Sequence, residues 1–179
     1  MRENRNRKRN RLQGYNYSEE GWYFVTICVQ DMESYFGRIE NEKMYLNEFG
    51  GIVNQQWLWL AQQYEYVILD EYIVMPNHFH GIITIDNDRD HVGTGRDLSL
   101  HDDGRDASQR GDVRKVKSLS ALIGAFKTTS SKLIHKTNTP SFAWQRSFYD
   151  RIIRDEMALN NIRNYIYNNP FKWEFDRNN

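Results

Sequence analysis

The stretch YVILDEYIVMPNHFHGIITI, residues 66–85, decides the fold of this chain. Its two halves, 66–75 and 79–85, are rich in the β-branched and aromatic residues that favour strands. Between them, Pro76-Asn77 supplies residues typical of turns. The stretch therefore predicts two neighbouring strands, and residues 22–29 (WYFVTICV) predict a further buried strand.

The remaining elements mix helices with strands. Residues 35–46 predict a hairpin, and Asn47 is a suitable N-cap for a helix over residues 47–64. Ser118 begins a second helix whose apolar residues recur every three or four positions. A last helix is predicted over residues 155–168. The predicted order is strand, hairpin, helix, two strands, polar insert and two helices, which indicates an α+β fold built on an antiparallel sheet.

Length and composition exclude several classes of protein. The 179 residues fit one domain, and 39% hydrophobic with 14% aromatic residues indicates a globular chain. No apolar run reaches the length of about 20 residues needed to cross a bilayer, and no secretory signal is recognisable. A single cysteine, Cys28, excludes an internal disulfide framework and a Cys-based zinc finger. We therefore expect a cytoplasmic protein.

The charges are unevenly distributed although 24 basic residues balance 24 acidic ones. Residues 1–13 form a basic N-terminal arm, followed by a domain over residues 14–175. Within that domain, residues 86–116 are a polar, low-complexity insert rich in Asp, Arg and Gly. A basic arm can bind a phosphate backbone even on a neutral protein, because the local field decides. The alternative is a solvated tail.

Two histidines mark the start of the second strand of the opening stretch. His78 and His80 are two residues apart, so both imidazoles point to one sheet face while Phe79 points to the other. Neighbouring imidazoles on a fixed backbone suit a divalent metal ion, and Phe79 would anchor the strand in the core. The alternative is that the two histidines are merely hydrogen-bonded or lie at the surface.

The string VMPNHFHGIITI, residues 74–85, resembles the HUH signature (His, large apolar residue, His) of single-tyrosine transposases. More narrowly, it resembles the REP-associated tyrosine transposases and their insertion-sequence relatives. Further matching strings follow in order, namely YNYSEEGWYFVTICVQD (15–31), YLNEFGGIV (45–53), LDEYIVMPNH (69–78), WQRSFYDRIIRDE (144–156) and NYIYNNP (164–170). The resemblance covers about residues 14–173 without the insert. It implies a ferredoxin-like antiparallel sheet with helices packed on one face. Asp70, Glu71 and Asp150 lie in these strings, and no chemistry is assigned to them.

The resemblance also implies the catalytic group. Tyr165 takes the position of the nucleophile, and Asn169, four residues later on the same helical face, takes that of the third metal ligand after His78 and His80. Tyr167 lies about 200° round the helix from Tyr165 and cannot face the same ion. The other roles that remain open are packing for Tyr165, a helix C-cap for Asn169, and a rival nucleophile at Tyr149.

The implied function is a DNA transposase that cleaves and rejoins single-stranded or hairpin DNA through a 5′-phosphotyrosine, using Mg²⁺ or Mn²⁺. It would act as a monomer or homodimer. Candidate DNA-binding residues are Arg5, Arg7, Lys8, Arg9, Arg11, Lys127, Arg151 and Arg154. Two alternatives remain, a non-catalytic protein that binds single-stranded nucleic acid and a metal-dependent phosphodiesterase that uses water.

Overall fold

The computed structural model of the chain describes residues 19–88 and 116–175. In these ranges no helix is both long enough and apolar enough to cross a membrane. Two short 3-10 helices, Gln30–Met32 and Pro170–Phe175, accompany the main elements. The main elements are β1 (Gly21–Cys28), β2 (Gly37–Glu40), β3 (Lys43–Leu46), α1 (Glu48–Gln63), β4 (Val67–Val74), β5 (His78–Ile85), α2 (Leu119–Lys136), β6 (Tyr149–Ile153) and α3 (Glu156–Tyr167).

The main sheet has four strands in the order β4-β5-β1-β6, and every neighbouring pair is antiparallel. Without the small β2-β3 hairpin, the chain order through this sheet is β1-α1-β4-β5-α2-β6. This is the β-α-β-β-α-β order of the ferredoxin-like fold. The predicted α+β class with an antiparallel, ferredoxin-like sheet is therefore confirmed.

Strand β6, at Tyr149–Ile153, is absent from the sequence-based prediction. Its five residues, YDRII, carry two adjacent charges, Asp150 and Arg151, and do not show an obvious apolar run. The segment nevertheless pairs with β1 at the edge of the sheet, where Tyr149 and Arg151 remain exposed. An edge strand tolerates polar residues because one side faces water, so periodicity alone misses it.

The helix starts follow from side-chain caps. Asn47 accepts a hydrogen bond from the Gly50 amide at 3.0 Å, and Ser118 accepts one from the Ala121 amide at 3.4 Å. Asp155 caps α3 through the amide of Ala158 at 2.7 Å. Each cap side chain accepts from an amide of the first helical turn, and the Ala121 amide also donates to the Ser118 carbonyl at 2.8 Å. The predicted starts of α1 and α2 are confirmed.

The large core lies on the sheet face that α1 and α2 cover. Phe79 of β5 packs between Trp57 of α1 and Phe126 of α2, with ring centroids 4.6 and 5.3 Å away. Gly81 makes this approach possible, since a Cβ there would lie 2.7 Å from the Trp57 ring. All four residues are therefore fixed by one dense aromatic cluster.

Helix α3 packs on the opposite face of the sheet. Its buried residues Leu159, Ile162 and Ile166 contact a small apolar cluster formed by Phe24, Ile82 and Ile153. The expectation that the helices pack on one face holds for α1 and α2 and is wrong for α3. The reason is that β1, β5 and β6 present apolar side chains on both faces, so each face must be covered.

Tyr66, just before β4, is bonded to both flanks of the polar insert. Its carbonyl accepts from the Asp86 amide at 2.8 Å, and its hydroxyl accepts from the Lys117 amide at 3.0 Å. Residues 89–115 of the insert predicted at 86–116 lie outside the described residues, as does the whole basic arm of residues 1–13.

Candidate active site

His78 and His80 lie on the α3 face of the sheet. In the register of β5 with β1, His78 pairs with Cys28 and His80 pairs with Thr26. Both imidazoles are almost fully buried, and Phe79 between them is buried in the large core. The predicted division of the two histidines and Phe79 between opposite faces is confirmed.

Asn77 fixes the orientation and the proton of His78. Its amide nitrogen donates to the Met32 carbonyl at 3.1 Å, which turns its Oδ1 toward His78 Nδ1 at 2.8 Å. Because an amide oxygen can only accept, the proton of neutral His78 lies on Nδ1. The lone pair of His78 is therefore on Nε2, the atom that faces His80.

Thr26 fixes the orientation of the His80 ring. Its hydroxyl lies 2.8 Å from His80 Nδ1 and can accept the proton of that nitrogen, which leaves the lone pair on Nε2. Burial, followed by the neighbouring His78, holds the pKa of His80 well below its usual range. His80 is thus neutral at pH 7, the state in which an imidazole binds a cation.

The two lone pairs converge, because His78 Nε2 and His80 Nε2 lie 3.0 Å apart. Two nitrogen ligands about 2.1 Å from one ion, at right angles to each other, are separated by about 3.0 Å. The outer nitrogens are held by an amide and a hydroxyl, as is usual for metal-ligating histidines. The pair therefore fits two adjacent positions around a divalent ion.

The side chain of Tyr165 in α3 lies beside the Nε2 atom of His80. Its hydroxyl lies 3.2 Å from His80 Nε2, and its ring stands edge-on to Phe24 with centroids 6.0 Å apart. Phe24 in turn stacks on His80 at 5.5 Å. The side chain is 41% exposed, so solvent and a ligand can reach it. The structure thus places the phenol of Tyr165 beside two imidazoles, the nearer of which, His80, is 85 positions earlier in the chain.

In the sequence, Asn169 lies midway between two residues that contact the histidines. Tyr165 precedes it by four residues and contacts His80, while Trp173 follows it by four and stacks on His78 with centroids 5.9 Å apart. Asn169 is 1% exposed and lies between the end of α3 and the 3-10 helix that begins at Pro170. Within residues 19–88 and 116–175, no three His, Cys, Asp or Glu side chains are grouped to hold a metal. An amide oxygen from Asn169 would suit the third position for Mg²⁺ or Mn²⁺.

The other two candidate tyrosines lie further from the histidines. Tyr167 is 78% exposed and lines a groove beside the β2-β3 hairpin. Tyr149 pairs with Thr26 across β6 and β1, so it lies on the histidine face with one strand between it and β5. Among Tyr149, Tyr165 and Tyr167, the geometry favours Tyr165 as the group nearest the candidate metal site.

The predicted DNA-binding residues are spread over several places. Arg151 pairs with Phe24 and lies exposed on the histidine face, and Arg154 is exposed just before α3. Lys127 of α2 is partly buried, and its ammonium donates to the Gln145 and Arg146 carbonyls. Burial lowers the pKa of Lys127. The five arm residues Arg5, Arg7, Lys8, Arg9 and Arg11 lie outside the described residues.

Sequence reasoning missed Thr26, Asn77 and Trp173 as parts of this site. Asn77 could have been identified from its position directly before His78. Thr26 contacts His80 only because β1 pairs with β5 in one particular register, and Trp173 lies in a short 3-10 helix beyond α3. Neither of these two contacts leaves a local pattern in the sequence.

The comparisons with known proteins bear on family and fold. No family model matches the chain. A solved structure of a REP-associated tyrosine transposase bound to a REP hairpin superposes with a TM-score of 0.55 at 16% identity. The match covers 93% of this chain and 76% of that one, which shows a shared fold. A Haemophilus influenzae protein described as uncharacterized is 38% identical over 167 residues, covering 93% of this chain and 89% of that protein. The chain therefore belongs to the same family as this Haemophilus influenzae protein.

Proposed function

We propose that the chain is an HUH single-tyrosine transposase, which cleaves and rejoins single-stranded DNA through a 5′-phosphotyrosine. The observation that carries this proposal is the Tyr165 hydroxyl 3.2 Å from His80 Nε2, beside two imidazole nitrogens 3.0 Å apart. A phenol next to a cation site is the arrangement needed to attack an anionic phosphodiester. The shared fold with a REP-associated tyrosine transposase supports the proposal.

His78, His80 and Asn169 would hold Mg²⁺ or Mn²⁺, which when bound would neutralise and orient the scissile phosphate. Tyr165 then gives up its proton, and its oxygen forms a bond to phosphorus while the bond to the 3′ oxygen breaks. The 3′ oxygen takes up a proton and leaves as a hydroxyl. Since the covalent bond to Tyr165 retains the phosphodiester energy, a DNA 3′-OH can reverse the step without ATP.

Buried His80 and Asn169 keep the inner side of the site away from water, while the partly exposed Tyr165 faces the entry for DNA. Thr26 and Asn77 hold the two rings in place before substrate binds. Such preorganisation lowers the cost of reaching the reactive geometry.

A basic cleft supports DNA as the substrate. Its volume is about 560 Å³ between α2 and residues 142–146, and the lining residues that the structure describes include Lys127, Lys132, His135 and Arg146 but no acidic side chain. Positive charge without neighbouring carboxylates favours a phosphate backbone. The structure that shares the fold holds a REP hairpin, so we propose hairpin DNA with a single-stranded segment as substrate.

A denaturing-gel adduct assay tests the proposed function. The protein is incubated with Mn²⁺ and labelled hairpin DNA taken from the flanks of its own gene. We expect a labelled, protease-sensitive band from wild type and from Tyr149→Phe, and its loss in Tyr165→Phe and His78→Ala. Tyr149→Phe is the matched control because it removes a hydroxyl from the same sheet face.

Other outcomes would contradict the proposal in distinct ways. A band lost only in Tyr149→Phe would reassign the nucleophile. Cleavage without an adduct would indicate a metal-dependent phosphodiesterase that uses water. DNA binding with neither cleavage nor adduct would indicate a non-catalytic nucleic-acid-binding protein.

A further inference from the structure

Two charged side chains join the tyrosine helix to the edge of the sheet. Arg163 of α3 donates from Nε to Asp70 Oδ1 at 2.8 Å and from Nη2 to Asp70 Oδ2, which makes the pair bidentate. Its Nη1 also donates to Asn160 Oδ1 at 3.1 Å, one turn earlier in α3. A bidentate Arg–carboxylate pair fixes orientation as well as distance.

Asp70 lies within a β-bulge of β4. In the register of β4 with β5, Leu69 pairs with Ile83 and Tyr72 pairs with Gly81, so β4 has one extra residue between them. Because side chains alternate along a strand, the extra residue shifts the alternation by one. As a result Tyr72 stays in the large core and Ile73 faces α3, while Asp70 lies within the irregularity and contacts Arg163 of α3.

The rest of the contact between α3 and the sheet is small. The buried cluster under α3 contains six apolar side chains, whereas the opposite face buries many more. Tyr165 itself is partly exposed, so burial does not fix its position. The place of its hydroxyl beside His80 therefore depends on how α3 as a whole sits on the sheet, and Arg163 is only two residues away.

We propose that Asp70 and Arg163 are positioning residues: their pair fixes the rotation and height of α3 so that Tyr165 meets His80 of the same chain. This inference rests on the proposed function of the site. It gives a role to Asp70 and to the irregular strand that carries it, neither of which touches the reacting atoms. A displacement of a nucleophile by about 1 Å costs up to about a hundredfold in rate.

Hydrogen–deuterium exchange of the α3 amides tests the placement of the helix without requiring activity. The full chain is compared as wild type, Asp70→Asn, Arg163→Gln and the charge-swapped double variant Asp70→Arg/Arg163→Asp. Arg38→Gln is the matched control, since Arg38 forms an ion pair with Glu40 at 2.5 Å inside the β2-β3 hairpin, and both side chains are largely exposed. The same proteins enter the adduct assay.

We expect amide exchange in α3 to accelerate roughly fivefold in each single variant, with α1 and α2 unchanged. Adduct formation should fall about tenfold in the single variants. The charge-swapped variant should recover both properties in large part, and Arg38→Gln should resemble wild type. Recovery by the swapped pair would not follow from a role of Asp70 or Arg163 in binding DNA.

Three results would overturn the inference. They are α3 exchange equal to wild type in both single variants, equal acceleration in all three helices, and no recovery in the charge-swapped variant. If wild type forms no adduct while α3 exchange responds as expected, the proposed function fails and the structural link between Asp70 and α3 stands. If the adduct forms and is insensitive to Asp70→Asn, the positioning role fails alone.

Discussion

The two faces of the sheet are built for different purposes. Under α1 and α2, the side chains of β1 and β5 join a continuous apolar cluster centred on Phe79, Trp57 and Phe126. Under α3, the same two strands contribute Phe24 and Ile82 to a cluster of six, and then present Thr26, His78 and His80. The face under α1 and α2 stabilises the fold. The face under α3 holds the polar side chains of Thr26, His78 and His80 in a buried position.

This comparison shows how one strand can serve both purposes. Residues 78–82 of β5 alternate between the faces, so each histidine is followed by a residue that packs in the large core. Burying an imidazole costs free energy unless it is hydrogen-bonded, and Thr26 and Asn77 supply those bonds. Because Phe79 is packed in the large core, it fixes the position of β5 and therefore of the two histidines beside it.

The largest expected effect is a loss of stability when the apolar face is disrupted. Phe79→Ala removes the ring packed between Trp57 and Phe126, and we expect a loss of about 4 kcal/mol in the free energy of unfolding. Urea unfolding monitored by tryptophan fluorescence measures it. Leu58→Ala, at a partly exposed position of α1, is the control and should change stability by less than about 0.5 kcal/mol. Equal losses in the two variants would contradict the assigned core.

A second substitution weakens the face under α3. Ile162→Ala should cost about 2 kcal/mol of unfolding free energy, since the site is smaller and less enclosed than the large core. Because Tyr165 lies three residues further along α3, adduct formation should fall by more than the lost stability accounts for at 25 °C. Met157→Ala, exposed on the same helix, should leave both measurements unchanged. Unimpaired adduct formation in Ile162→Ala would contradict the dependence of Tyr165 on helix packing.

A third substitution tests only the polar groups on the α3 face of the sheet. Thr26→Val keeps the shape of the side chain and removes the hydroxyl beside His80 Nδ1, so we expect Mn²⁺ affinity to fall about tenfold. Titration of the protein with Mn²⁺, followed by electron paramagnetic resonance, measures the affinity without DNA. Thr84→Val, on the same face near the far end of β5, is the control. An affinity insensitive to Thr26→Val would show that the hydroxyl does not orient a ligand.

The smallest expected effect is a pH dependence at Asp70. Hydrogen bonding from Arg163 holds the pKa of the Asp70 carboxyl below its ordinary value, although partial burial opposes this. A lowered pKa in the folded state stabilises the fold above the ordinary value near 3.9, and the contribution is lost as pH falls through the folded pKa. Wild type should therefore exceed Asp70→Asn by about 1 kcal/mol near pH 6, and the gap should shrink below about pH 4. A gap independent of pH would contradict this assignment.

The sequence was sufficient where the determining signal is local. Asn47 and Ser118 mark helix starts through capping chemistry, and the alternation of His78, Phe79 and His80 defines their faces without any knowledge of partners. The position of Tyr165 came from resemblance to a family, and its 3.2 Å approach to His80 agrees with that expectation. The catalytic and metal-binding roles themselves stay predictions.

The sequence was insufficient where the signal depends on pairing between distant segments. Strand β6 is defined by its bonds to β1, and its own residues are too polar to predict it. The contact between Asp70 and Arg163 joins residues 93 positions apart, and Asp70 lies within an irregular part of β4. Similarly, α3 covers the sheet face that α1 and α2 leave open. That face is defined only when all four strands have paired.

Tyr66 has a consequence for how this family can diversify. One residue bonds both Asp86 and Lys117, so the two chain ends that border the polar insert are fastened to the same point of the fold. They also lie beyond the Ile85 end of β5, at the other end of that strand from His78. The number of residues between the two bonds is therefore free to vary between relatives without altering the sheet. For the same reason, a reporter peptide grafted between these two bonds should leave the candidate active site, at the other end of β5, unchanged.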